Sequence, residues 1–249
     1  MQPMYHIGLT QAEGAHYAIL PGDPGRVETI ARQLDQPEYL GSHREYTAWR
    51  GAIDGEPVLV MSTGMGGPSA AIGVEELKMI GVECLVRVGT CGGMQLDVKA
   101  GELVIAQAAI RMEGTSKEYL PIAYPAVADF SLTASLVKAA QALQVPYHVG
   151  VVQSKDSFYG QHDPTRMPVG YELTAKWNAW KMGGCLASEM ECAAIFTTAS
   201  VLRMRAAAVL LAVWNQERAD AGLPDDTDFD TSRAIRLAIE AIRLDRREH

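Results

Sequence analysis

An arginine stands in the middle of an apolar run, Cys84-Leu-Val-Arg-Val-Gly-Thr-Cys91. The run reads as a buried strand that ends in Gly92-Gly93. A guanidinium inside such a strand is costly to bury unless an anion partners it, and its planar fork of permanent charge suits an oxyanion. Arg87 is therefore the first candidate for chemistry. A second arginine, Arg26, follows the turn Pro21-Gly-Asp-Pro-Gly. There a short strand over 17–20 hands over to a segment in which Val27, Ile30, Ala31 and Leu34 repeat at helical spacing. Asp23 suits the cap of that helix and Pro24 its first position, which leaves Gly22 and Arg26 at a positive helix end. The natural occupant of that place is an anion.

A third segment could face a ligand. Val58 to Met61 run as a buried strand into Ser62-Thr-Gly-Met-Gly-Gly-Pro-Ser-Ala-Ala-Ile-Gly-Val-Glu-Glu-Leu77. Gly64, Gly66 and Gly67 allow a tight turn, Pro68 suits a first helical turn, and Ile72, Leu77 and Ile80 continue an apolar face. Such a strand-to-helix turn leaves backbone N–H groups free where α/β proteins hold anionic or polar ligands.

The elements that must position these residues alternate. Strands 46–53 and 57–61 flank Asp54-Gly55, a hairpin signal, and a helix over 68–80 follows. A strand over 103–112, a helix over 130–143 and a strand over 147–154 come next. The polar, aromatic continuation 155–168 reads as a loop over a site. A helix over 172–182 turns Trp177 and Trp180 inward, and Cys185 to Glu191 ends a short strand and starts an apolar helix reaching Leu202. A strand over 206–214, a charged loop over 215–230 and a helix over 232–243 complete the chain. With no linker and no repeat, this is one α/β domain over 1–249.

The residues from Ser62 to Leu77 resemble the signature of the nucleoside phosphorylase family, which holds hexameric purine nucleoside phosphorylases and uridine phosphorylases. The matching pattern is Gly-apolar-Gly-x-Pro-Ser, a small residue, Ile, then Glu-Leu. The resemblance runs from Tyr5 to about Arg243 and is closest to the uridine phosphorylase branch. It implies a three-layer fold with a mixed, partly barrel-like central sheet flanked by helices. It also implies phosphorolysis of uridine to uracil and ribose 1-phosphate, with phosphate as co-substrate and no organic cofactor. The assembly it implies is a homohexamer of three dimers with active sites shared between subunits.

By the same resemblance, Gly22, Arg26, Arg87 and Thr90 line the phosphate site, and Arg44 in His43-Arg44-Glu45 reaches in from a neighbouring subunit. Glu191 takes the ribose hydroxyls, Met190 packs on the sugar and Glu189 lies nearby, while His6 contacts the ribose 5′-hydroxyl across a dimer interface. A carboxylate beside the sugar also favours the positive charge that develops at C1′. Arg87, Thr90 and Glu191 are expected to carry catalysis. Phe158 stacks on the base, and Gln161 offers a donor and an acceptor to its edge. Glu45, Met65 and Ser69 match positions that hold a potassium ion between subunits in some relatives, which leaves such an ion open.

Purine members carry an acid after the last strand to protonate the base. The corresponding stretch here is Val213-Trp214-Asn215-Gln216, which favours a pyrimidine. Two arginines of the uridine phosphorylase pattern are replaced by Asp163 and Gln216. His162 or Arg166 could take over base recognition, and Arg218 could serve in a lid. The rivals are a purine phosphorylase using an acid such as Asp220, a nucleosidase using water, and a nucleoside-binding protein without turnover.

Composition narrows the partners. A formal net charge of −8 over 249 residues disfavours a nucleic-acid binder. No apolar run is long enough to span a bilayer and the first residues carry no secretion signal, so a cytoplasmic protein is expected. Cys84, Cys91, Cys185 and Cys192 sit in apolar segments without a Cys-x-x-Cys pair, and read as buried thiols.

Overall fold

Alternation along the strands decides which layer each side chain joins. The structure is a computed structural model and describes residues 2–248. In β1 (Tyr17–Pro21), Tyr17 and Ile19 point to one face of the sheet and Ala18 and Leu20 to the other, as the period of a strand dictates. Beyond it, β4 (Glu56–Met61) and β5 (Cys84–Gly93) pair with β1 in parallel on its two sides. Both are apolar runs of the kind a sheet covered on two faces requires.

Among the described residues the sheet has ten strands. From β5 it continues to β10 (Arg205–Asn215) in parallel, then to β6 (Leu103–Arg111) antiparallel, to β8 (Tyr147–Ser154) parallel, and to β9 (Ala187–Glu189) parallel. Because β9 pairs back onto β5, these strands close into a ring that has no free edge. The other end stays open through β4, β3 (Tyr46–Ile53) and β2 (Asp35–His43), while β7 (Ala126–Val127) pairs with β6.

Helices complete three layers. On one face α1 (Pro24–Ala31), α4 (Phe130–Ala142) and α9 (Ser232–Glu248) bury Ile30, Leu136 and Ile242 against Ile19, Val86 and Val209. On the other, α2 (Gly67–Met79) and α7 (Cys192–Val201) bury Leu77 and Phe196 against Leu20, Leu85 and Leu210. In α7 every residue from Cys192 to Ala199 is buried, as a helix apolar all round must be. The capping expected of Asp23 is present, its carboxylate accepting from Gly25 N at 2.8 Å. The mixed, partly closed sheet between helices is the architecture that the resemblance implies.

Several elements differ from the sequence reading. β2 carries Pro37 and Gly41 and is almost wholly exposed, so no alternation marks it. It is an edge strand held by β3 alone. The expected loop over 155–168 contains α5 (Phe158–His162) and a 3₁₀ turn at Pro164–Arg166, and the expected loop over 215–230 opens with α8 (Gln216–Asp220). A short α3 (Thr115–Tyr119) follows β6. In α6 (Gly170–Met182) only Gly170 is fully buried, and Trp177 and Trp180 are half-buried. All four cysteines are free buried thiols. Among the described residues no helix is long and apolar enough to cross a membrane.

One ion pair with a buried carboxylate ties the C-terminal helix to the sheet. Asp245 of α9 is 1% exposed and accepts from Tyr17 Oη at 2.9 Å and from Arg205 Nη1 at 3.0 Å. Replacing Asp245 by Ala leaves the Tyr17 hydroxyl without its acceptor and Arg205 with Asp129 alone, and is expected to lower stability by about 2 kcal/mol, or about 6 °C in thermal midpoint. An unchanged melting curve would mean that the pair does not hold α9 in place.

Candidate active site

The ends of β1, β5, β9 and β10 converge with the glycine turn before α2, and a cavity of about 610 Å³ opens there. Crevices at strand ends are where open α/β sheets bind ligands. Alternation puts Arg87 on the same side of β5 as Leu85, toward the α2–α7 layer.

One end of the cavity is built for an anion. Gly22, Arg26, Arg87 and Thr90 all line it. Arg87 is 4% exposed; it donates through Nη2 to Glu191 Oε2 at 2.6 Å and through Nη1 to Thr63 Oγ1 at 3.0 Å. Its Nε–H has no partner. A Cβ on residue 22 would lie 3.2 Å from Arg87 Nη2 and 3.3 Å from Gly64 O, so glycine leaves the guanidinium room. Burial pushes the pKa of Arg26 down, Asp23 opposes that, and the Arg87 charge adds to it. Two guanidiniums thus share one wall, with Glu191 as the buried countercharge.

Glu191 stands at the junction of three elements. It is 5% exposed, pairs with Arg87, and accepts from Gly66 N at 2.7 Å. Gly66 has φ +92° at the start of α2, a conformation open to glycine. The free N–H expected at this turn therefore finds its anion within the chain. Met190 also lines the cavity. Glu189 turns into the protein: Oε2 accepts from the N–H groups of Glu191 and Cys192 at 2.7 and 2.9 Å, and Oε1 accepts from Ser154 Oγ. It caps the start of α7 and so positions Glu191. Burial pushes its carboxyl pKa up, with the Glu191 charge adding to the shift.

The other end is aromatic and cationic. Phe158, Gln161 and His162 of α5 line it with Trp214. The His162 ring centroid is 4.3 Å from Phe158 and 6.1 Å from Trp214; burial, with Lys155 behind it, keeps the imidazole pKa below its ordinary value. Lys155, which no sequence motif marks, lies at this end as well. Its Nζ donates to Ser188 Oγ at 2.7 Å, and burial pulls its pKa down to about 8 against the raising effect of Glu189 and Glu191. The available signal was a lysine directly after a buried strand and shortly before Phe158.

Other expected residues lie elsewhere. Of the residues that could stand in for the two missing arginines, His162 is in the cavity. Arg166 pairs with Asp163 at 3.6 Å on the surface, and Arg218 is taken up by Leu96 O at 2.6 Å and Asp225 at 3.3 Å. Arg218 therefore braces the segment after α8. Asp220 lines a neighbouring cavity of about 360 Å³ rather than this one. His6 and Arg44 do not reach this chain's cavity. His6 Nδ1 is 2.6 Å from Glu76 Oε1, and Arg44, exposed and at φ +55°, sits 5.8 Å over the exposed Tyr5 ring. Ser69 Oγ donates to Glu45 Oε1 at 2.6 Å, which holds the Glu45 pKa down; Met65 lines the cavity beside them. Oxygen donors suit a monovalent cation. The matched positions supply this carboxylate and hydroxyl, and the described residues hold no cluster of three titratable metal ligands.

An anion wall, a buried carboxylate and an aromatic, cationic end lie together in one cavity at the rim of a closed-ring sheet. The chain belongs to the phosphorylase superfamily, which it matches over residues 16–244. It is 55% identical over 240 residues to a uridine phosphorylase of Treponema pallidum (strain Nichols), covering 96% of this chain and 93% of that one. It is 39% identical over 245 residues to a uridine phosphorylase of Escherichia coli (strain K12), covering 96% and 97%. A guanosine phosphorylase of Halorubrum lacusprofundi is also 39% identical, over 244 residues covering 95% and 97%, so at that distance the overall identity does not choose the base.

The Arg87–Glu191 pair makes a thermodynamic prediction. Replacing Arg87 by Ala leaves a buried carboxylate uncompensated and should cost about 3 kcal/mol, while the double variant with Glu191→Ala should recover part of that. Strictly additive losses in a denaturation cycle would mean the two are not coupled.

Proposed function

We propose that the protein is a uridine phosphorylase, converting uridine and phosphate reversibly to uracil and ribose 1-phosphate. The observation that carries this is one cavity that joins two arginines and Glu191 to a base end with Lys155, Gln161 and His162, while Asp220, the acid that the purine reading would use, lines a different cavity. The 55% identity to the Treponema pallidum enzyme supports it.

In this reading Arg26, Arg87 and Thr90 hold phosphate beside C1′, so that positioning and electrostatics lower the barrier without a covalent intermediate. Glu191 accepts from the ribose hydroxyls and favours the oxocarbenium-like charge, with Met190 against the sugar. Phe158 stacks on the base and Gln161 reads its edge. The Lys155 ammonium lies where negative charge accumulates on the departing uracil and stabilises it. A neighbouring copy delivers His6 and Arg44, within a homohexamer of three dimers in the cytoplasm. The reaction needs no organic cofactor, and neither nucleic acid nor a membrane is a partner.

The test is absorbance-monitored cleavage of uridine, thymidine, inosine and adenosine, each with and without phosphate. Uridine cleavage that requires phosphate is expected. Preference for inosine or adenosine would move the protein to the purine branch, and equal rates without phosphate would make it a nucleosidase.

A pH profile follows from Lys155. Its pKa is lowered to about 8, so the charged form that assists the leaving base is present below that pH and lost above it. The kcat/KM for uridine should fall as pH rises through about 8, because kcat/KM reports the free enzyme. Lys155→Met should show a lower plateau without that falling limb; a limb that persists in the variant would assign it to another group.

A further inference from the structure

One hydroxyl joins the polar side chains at the base end. Ser188 is 2% exposed and directly precedes Glu189-Met190-Glu191 in the chain. Its Oγ accepts from Lys155 Nζ at 2.7 Å and touches two amide oxygens, Gln161 Oε1 at 2.5 Å and Gln153 Oε1. A serine hydroxyl carries one proton, so it can donate to one of these oxygens only. The other amide must turn and offer its NH₂ to a serine lone pair. Gln153 is the amide held in place: it is buried, and its Nε2 faces Met112 Sδ at 3.2 Å. Turning it would set a carbonyl against a thioether that has no proton to give. Gln161 is therefore the amide that turns, donating to Ser188 and freeing the carbonyl of a side chain that lines the cavity.

We propose that Ser188, oriented by Gln153, is a positioning residue for base specificity: it fixes Gln161 as an acceptor beside the Lys155 donor, the complement of a uracil-type edge. This rests on the uridine phosphorylase reading. Uracil offers a ring N–H beside a carbonyl oxygen, which matches acceptor and donor in turn. Cytosine offers a bare ring nitrogen beside an amino group, so lone pair meets lone pair and N–H meets N–H. The discrimination against cytidine then resides in two buried side chains, Ser188 and Gln153, as much as in the groups that touch the base.

Steady-state kinetics on uridine and cytidine test it, using the wild type, Ser188→Ala, Ser188→Thr and Gln153→Leu, with thermal melts as the check on folding. Ser188→Ala should raise KM for uridine about tenfold, the worth of one lost hydrogen bond, with a smaller change in kcat. The ratio of kcat/KM for uridine over cytidine should fall by a similar factor. Ser188→Thr keeps the hydroxyl and should restore both. Gln153→Leu frees the hydroxyl to donate to Gln161, so the ratio should fall although Gln153 does not touch the base. The inference is overturned if folded Ser188→Ala and Gln153→Leu both keep wild-type KM and ratio, or if Ser188→Thr fails where Ser188→Ala fails. A wild-type protein that does not cleave uridine with phosphate would sink the parent reading and this inference with it.

Discussion

A buried arginine paired with a buried glutamate sets the terms for the rest of this molecule. Arg87 lies inside a central strand and Glu191 at the mouth of an apolar helix, 2.6 Å apart and both nearly sealed from water. Desolvating two charges costs more than most such pairs return, and well-packed apolar residues would hold the same space at least as well. Stability alone does not account for it. The surroundings are shaped to keep the pair: glycine at 22 gives the guanidinium room, Thr63 takes one of its donors, Gly66 anchors the second carboxylate oxygen, and Glu189 fixes the backbone at Glu191.

The pair also links the two substrates. In the proposed reaction Arg87 belongs to phosphate and Glu191 to ribose, yet in the ligand-free chain each occupies the other. An incoming anion takes over Arg87 and leaves Glu191 with negative charge to direct at the sugar, where positive charge develops. At the opposite end the balance is reversed. Lys155 is the buried cation there, and its lowered pKa reflects how much desolvation it bears even with Glu189 and Glu191 nearby. The cavity thus runs from two arginines, past a carboxylate, to a buried cation, and in the proposed reaction that charge pattern follows the breaking of the glycosidic bond.

Much of this was legible in residues whose neighbours constrain them. An arginine flanked by Leu85, Val86 and Val88 could only be buried and partnered, Asp23-Pro24 could only open a helix, and Asp54-Gly55 marked its hairpin. What escaped depends on contacts far apart in the chain. Arg87 and Glu191 are separated by 104 positions, and neither segment announces the other. β2 has no alternation because it is exposed on both faces, and α5 and α8 are single turns in polar segments that read as loops. Lys155 was one residue of a polar loop until the fold placed it against Ser188. Arg166 read as a base-recognition residue and Arg218 as a lid residue because sequence records charge without direction. His6 and Arg44 are legible as residue types, but their proposed role lies on another copy of the chain.

The most direct measurement of the central claim is the affinity of the ligand-free protein for phosphate, compared by calorimetry between the wild type and Glu191→Gln. If Glu191 holds Arg87 in competition with phosphate, removing its charge should tighten phosphate binding by about tenfold, the equivalent of one modest electrostatic interaction, while uridine turnover is lost. Unchanged or weaker phosphate binding in a folded Glu191→Gln protein would contradict the account, because Arg87 would then not be the group the two ligands share.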